Sequence, residues 1–211
     1  MLEFYPLTAE QIPLVRADLT RPVPQTCDYS LGGVLLWRDY FQVQFARVGG
    51  SMIYRLRLPD GTEAFQPPAD PDERLLSAVY EHCRGLGEPC RFAFVPSERK
   101  PLFYSLFGGD VVCTPQREWY DYLYEKNALI TYAGKKLRGQ RNHVNKFLAA
   151  FPHWNFRRGT TDDLPRLREF YALFRQENQK DAPTWLEEEK KIEEVFDRFD
   201  EYSFLCGYRK G

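Results

Sequence analysis

The amino-acid sequence predicts an α+β protein, with a mixed, mainly antiparallel sheet flanked by helices. Three observations lead there. Between Phe41 and Gln66, short stretches of alternating polarity are separated by Gly49-Gly50 and by Pro59-Asp60-Gly61, which is the pattern of a hairpin meander. On either side of that stretch, apolar residues recur at helical intervals behind capping residues. The chain has 211 residues with 43% apolar and 28% charged content, ordinary values for a globular protein able to bury a substantial core.

Thr8-Ala-Glu-Gln11 has the form of a capping box and predicts a helix running toward Ala17, ended before Pro22 and Pro24. Residues 31–39 read as a short helix or buried turn. Strands follow at Phe41–Val48, Met52–Leu58 and 62–66, an antiparallel meander with polar faces. Asp70-Pro-Asp-Glu73 starts the next helix, because proline suits a first turn and acids complement the helix dipole. Leu75, Leu76, Val79 and Tyr80 supply its apolar face, and Gly85 and Gly87 end it. Cys90–Val95 reads as a short buried strand and Ser97–Phe107 as a helix ended by Gly108-Gly109. Residues 110–124 hold a further strand, with Trp119, Tyr120, Tyr122 and Tyr124 alternating as core-facing residues rather than as a stacking platform.

The segment from 126 to 161 carries eight lysines and arginines and no acid, in a chain of net charge −1. Local positive charge in a balanced protein attracts phosphate or carboxylate ligands. A helix is expected from about Arg138 to Phe151. Val144, Phe147, Leu148 and Phe151 form one stripe, and Arg138, Arg141, Asn142 and Asn145 form another. One flank should therefore anchor into protein while the other offers guanidiniums and amides. Trp154–Arg158 reads as a strand, Thr161-Asp-Asp-Leu164 starts a capped helix to about Asn178, and a charged helix covers roughly 184–199. Glu201–Tyr208 reads as a lone strand. It either joins the earlier sheet or opens a second unit left unfinished, and the unfinished unit is the expectation adopted.

Several classes are set aside. No apolar run approaches the roughly 18 residues of a bilayer span, and the N-terminus lacks the basic and apolar regions of a secretory signal. Five cysteines, at 27, 83, 90, 113 and 206, do not make a disulfide framework and fit a reducing cytoplasm. Cys83 and Cys90 with His82 lack zinc-site spacing, so no metal is expected. Neither a P-loop nor a Rossmann fingerprint occurs, and Gly134 and Gly139 match the glycine loop that cradles a pyrophosphate only weakly.

Asp121-Tyr-Leu-Tyr124 leading into Gly134-Lys-Lys136 and Arg141-Asn-His-Val-Asn-Lys-Phe147 resembles a bacterial family. The family shares the C-terminal catalytic domain of phosphatidylglycerol lysyltransferase, and some of its soluble members lack any membrane part. It is distantly similar to the Fem-type aminoacyltransferases. The resemblance implies a tandem arrangement of acetyltransferase-like (GNAT) units. Residues 1–125 would be the first unit, 126–153 a basic bridging helix, and 154–211 the start of a truncated second unit.

It also implies an aminoacyl- or acyltransferase using aminoacyl-tRNA or acyl-CoA as co-substrate, with a phosphate-bearing partner. A non-catalytic module binding an anionic ligand or nucleic acid is the alternative, and an acyl-CoA N-acyltransferase a further one. The candidate phosphate-binding residues are Lys135, Lys136, Arg138, Arg141, Asn142, Asn145 and Lys146. Arginine gives planar bidentate donors and lysine a mobile point charge. The bland counterpart is a solvated helix face. Asp121, Tyr122, Tyr124 and His143 are supporting candidates. Asp121 serves either as a base or as a cap or ion-pair partner, and His143 either titrates in catalysis or is structural.

Overall fold

The computed structural model describes residues 1–19, 26–68, 70–154, 157–178 and 183–202. Strands β1 (Tyr5–Pro6), β2 (Gln44–Val48), β3 (Ser51–Arg57) and β4 (Glu63–Gln66) form one antiparallel sheet in that order. The β2–β3 hairpin pairs Val48 with Ser51 and Ala46 with Ile53. Its turn places Gly49 at φ 61°, a conformation glycine adopts without a Cβ penalty.

Successive residues of β3 point to opposite faces, and both faces are covered. Met52, Tyr54 and Leu56 enter one core with Val15 of α1 (Ile12–Leu19) and Leu35 of α2 (Leu31–Leu36). Ile53 enters the other with Leu76 and Val79 of α3 (Glu73–Leu86) and Phe103 of α4 (Lys100–Phe107). The meander therefore does not have the polar faces expected of it. The consecutive apolar run Met52-Ile53-Tyr54 was the sign of two-sided burial.

Local capping explains where these helices begin. Thr8 and Gln11 form the expected box, with the Thr8 N–H donating to Gln11 Oε1 at 2.7 Å. Asp72 Oδ1 accepts from the Leu75 N–H at 2.7 Å, and Gly87, at φ 70°, closes α3. At α2 the Ser30 hydroxyl accepts from the Gly33 N–H. A Cβ on Gly33 would lie 2.2 Å from the Cys27 carbonyl oxygen, so only glycine fits there.

Among the described residues five more helices follow: α5 (Lys126–Thr131), α6 (Arg138–Ala150), α7 (Leu164–Glu177), α8 (Pro183–Asp197) and α9 (Phe199–Tyr202). The last two return to the sheet. Tyr202 is fully buried in the core of α1 and α2, and its hydroxyl donates to Glu194. Glu194 takes both Nη atoms of buried Arg38, and Lys191, equally buried, pairs with Asp39.

Other expectations are corrected. Residues 90–95, half-buried except for exposed Arg91, make one parallel bridge, Phe65 with Phe92, instead of a strand. Residues 110–124 contain no strand, only the end of a 3-10 turn at Gly108–Asp110 and another at Arg117–Trp119. Trp119 packs on Phe41 and Phe94 yet stays 38% exposed, and Tyr120, Tyr122 and Tyr124 are more exposed still. Alternating polarity describes any extended segment, and here no neighbouring strand supplies a ladder.

The cap before α7 is Thr160 with Asp163, one residue earlier than expected. β1 and α5 were not foreseen. Glu201 and Tyr202 are helical, while the rest of the predicted strand, 203–208, lies outside the described residues. The same holds for Asn155 and Phe156 within the predicted 154–158 strand, and for the proposed stop at Pro22 and Pro24.

Candidate functional site

The basic segment folds as a short helix, a tight connection and a long helix. α5 ends with Tyr132 in the left-handed region at φ 47°, and Gly134 follows at φ 86°. Arg141, one turn into α6, reaches back over this connection. Its Nη1 donates to the carbonyl of Tyr132 and, at 3.5 Å, toward that of Gly134. Lys135 and Lys136 lie on the connection that Arg141 clasps.

Lys135, Lys136, Arg138 and Lys146 are exposed, and none has a carboxylate within ion-pair distance among the described residues. Leu137 occupies the N-cap of α6 and cannot accept a hydrogen bond through its side chain; the first turn carries no acid. Uncapped N–H groups and the positive end of the helix dipole thus add to the side-chain charge. An anion is suited to such a place. Asn142 and Asn145 follow Arg138 at i+4 and i+7, exposed on the same side. At the far end of the segment Arg157 is spent differently, bonded to Asp163, whose carboxyl that guanidinium holds well below its usual range.

The opposite flank of α6 does not anchor as expected. Val144, Phe147, Leu148 and Phe151 are between 37% and 57% exposed, and Phe147 meets only Phe151 and Trp154 among aromatic partners in the described residues. Periodicity reports that a face is apolar, not what covers it. Phe170, Leu173 and Phe174 on α7 are exposed in the same way.

The supporting candidates separate. Tyr122 and Tyr124 are exposed on the connection before α5, and His143 is exposed on α6. Asp121 is drawn elsewhere: its Oδ2 accepts from the Cys27 N–H at 2.9 Å. There Cys27, Asp28 and Asp121 bring one ligand atom each within 4.8 Å of one another, which is the metal-compatible group among the described residues. Burial, then hydrogen bonding with Asp121, raises the Cys27 thiol to about 11, so the sulfur is protonated and a poor ligand near neutral pH. Burial and the charge of Asp121 raise Asp28 to about 6. Residues distant in sequence build this cluster, so no spacing motif could reveal it.

The connection from β4 to α3 bears on the pyrophosphate question. Pro67, Pro68 and Pro71 have no N–H, and the cap at its end is the Asp72 carboxylate. None of these three prolines can donate a backbone hydrogen bond to a phosphate.

The fold is α+β, and the start of α6 carries cations that have no carboxylate partner among the described residues. Residues 20–210 match the family described as phosphatidylglycerol lysyltransferase, C-terminal, and the chain belongs to that family. A crystal structure of a conserved protein of unknown function from Bacteroides thetaiotaomicron VPI-5482 is similar, with a TM-score of 0.78 and 21% identity. The match covers 95% of this chain and 69% of that one, and at this identity it speaks for the fold. No curated protein matches. Among the described residues, no helix is long and apolar enough to cross a membrane.

Proposed function

We propose that this chain is an aminoacyl- or acyltransferase of the lysyltransferase and Fem type, which holds a phosphate-bearing substrate on the surface formed by Lys135, Lys136, Arg138 and Lys146. Family membership supports the transferase class. The observation that supports the substrate class is the uncapped start of α6 surrounded by cations that have no carboxylate partners among the described residues.

In this reading the surface grips phosphates of an aminoacyl-tRNA, with Asn142 and Asn145 orienting them. An amine or hydroxyl then attacks the ester carbonyl, the ester C–O bond breaks, and the tRNA leaves through its ribose hydroxyl, which takes up the proton that the nucleophile gives up. Such reactions depend on positioning and on stabilising the developing oxyanion. Arg141 belongs to the site by holding the connection that carries the lysines. We read the sheet and its helices as a GNAT-like unit over 1–125, α6 as part of a bridge over 126–153, and 154–211 as the opening of a second unit, in a cytoplasmic protein. Acyl-CoA as co-substrate is disfavoured by the prolines and the Asp72 carboxylate between β4 and α3.

A binding module without catalysis is the second reading. It is favoured by His143, exposed with no carboxylate partner among the described residues, and by Asp121, engaged with the Cys27 N–H.

The test pairs binding with transfer. Charged tRNA is titrated against the chain and the Lys135→Ala/Lys136→Ala variant, and aminoacyl transfer to phosphatidylglycerol vesicles is followed. The double variant should bind charged tRNA about tenfold more weakly at low salt. Equal binding by both would defeat the phosphate surface. Binding without transfer in the intact chain would favour the module.

A further inference from the structure

Tyr120, Tyr122 and Tyr124 are 51%, 82% and 60% exposed, on the connection that leads into the basic segment. Aromatic rings dominate cores and interfaces, and a strip of bare ones on a surface is unusual unless something meets it.

The strip is held at its start. Trp119 packs with ring centroids 6.1 Å from Phe41 and 5.5 Å from Phe94, and the Asp121 carboxylate accepts from the Cys27 N–H. Trp119 and Asp121 thus face the body, and alternation along an extended chain turns Tyr120 and Tyr122 the other way. The backbone is extended at Tyr120 and again at Glu125, with no helix, turn or ladder between them. Leu123 is exposed too, so the far half of the strip stands clear of the body.

The spacing suits flat ligands. Two residues of extended chain advance about 6.6 Å, close to twice the distance of about 3.4 Å between stacked bases. A base therefore fits between successive tyrosine rings. Neither Tyr122 nor Tyr124 has a ring partner among the described residues, so their faces are open. Arg117, exposed and without a carboxylate partner among the described residues, lies over the Tyr120 ring at 5.3 Å and lengthens the platform with a planar cation.

We propose that this strip stacks the unpaired bases of a single-stranded nucleic acid whose phosphates run on to Lys135, Lys136 and Arg138. The inference rests on the phosphate surface proposed above. Between strip and lysines lies α5, about 9 Å long, so Tyr124 and Lys135 are at most about 30 Å apart, which several nucleotides span. Glu118 and Glu125, exposed at the two ends of the strip, repel phosphate, which leaves the rings to the bases and the backbone to the cations. A proline-rich peptide would also use aromatic rings, but not the unneutralised cations beyond them.

The experiment follows fluorescence anisotropy of three labelled DNA probes of about twelve nucleotides with the full chain. One is a mixed-sequence single strand, one its duplex, and one an abasic strand that keeps the phosphates and lacks the bases. The intact chain should favour the first over both others. Tyr122→Ala and Tyr124→Ala should each weaken single-strand binding about fivefold or more. Their salt slope should be unchanged, because no phosphate contact is lost, and Tyr122→Phe should bind like the intact chain. Both tyrosines stand in solvent, so these changes leave the packing intact. Equal affinity for the base-bearing and abasic strands, or unchanged affinity in both alanine variants, would overturn the strip. The Lys135→Ala/Lys136→Ala variant on the abasic strand reads the phosphate surface by itself. A loss there, with no preference for bases, would leave that surface standing and overturn the strip alone. No binding of any probe would overturn both.

Discussion

Arg141 donates through Nη1 to the carbonyl of Tyr132, nine residues earlier, and so closes the connection that carries Lys135 and Lys136. Its guanidinium is occupied by backbone, whereas the neighbouring lysines are exposed. The residues of one basic motif therefore divide into a positioner and contacts, and that division can be measured.

Each phosphate contact contributes to the salt dependence of binding, with a slope in log K of about 0.7 to 0.9 per contact. Lys135→Ala and Lys136→Ala should each reduce the slope for tRNA by about that amount. Arg141→Ala should weaken binding while leaving the slope closer to that of the intact chain, because a looser connection misplaces contacts without deleting one. Arg141→Lys cannot bridge two carbonyls with a planar fork and should restore little. A full single-contact loss of slope in Arg141→Ala would instead assign Arg141 to the ligand.

The pair between Arg38 and Glu194 joins residues 156 positions apart, and it ties α8 to the turn that follows α2. Arg38 is 7% exposed, and without Glu194 its buried charge keeps only Asp39, 3.8 Å from Nε, as an ion-pair partner. Glu194→Ala should cost about 3 to 5 kcal/mol in urea unfolding. Glu63→Ala, which breaks a half-exposed pair with Arg57, should cost less than about 1 kcal/mol. Burial alone would raise the Glu194 carboxyl, yet the bonds from Arg38 and Tyr202 outweigh it and lower the pKa. The stability this provides is present above the unfolded glutamate range and lost as pH falls through the lower folded value.

Asp28 acts with the opposite sign. Its carboxyl titrates at about 6, raised by burial and by Asp121. The folded chain holds this proton more tightly than the unfolded chain, so stability declines as pH rises from about 4 to about 6. Asp28→Asn should flatten that part of the profile by about 1 kcal/mol, after allowance for solvent screening of a part-exposed group. Thermal melts across that range provide the measurement. An unchanged slope would place the Asp28 carboxyl in water.

Much of the fold follows from short-range chemistry. The Thr8–Gln11 box, the turns at Gly49 and Gly61 and the helix over 138–150 are set by residues within a turn of one another, and each is where the sequence places it. By contrast, α3 starts two residues later than expected, behind an Asp72 cap that leaves Pro71 outside the helix. The cationic stretch was equally legible, because charge composition is a property of the chain itself. The role of Arg141 was not, since its spacing matches a ligand-facing stripe as well as it matches a clasp over Tyr132.

What the linear order of residues decided, then, is the meander, the helix ends and the location of unneutralised positive charge. Tertiary structure alone decided that both faces of the sheet are covered, that Tyr202 returns to the first core, and that Asp121 meets Cys27 instead of the basic helix. It also left Tyr120, Tyr122 and Tyr124 outside the core that their alternation suggested. The physical reason is common to all four. Caps, turns and amphipathic stripes are encoded by neighbours a few residues apart, but a buried partner is chosen by packing between segments that the sequence keeps far from one another.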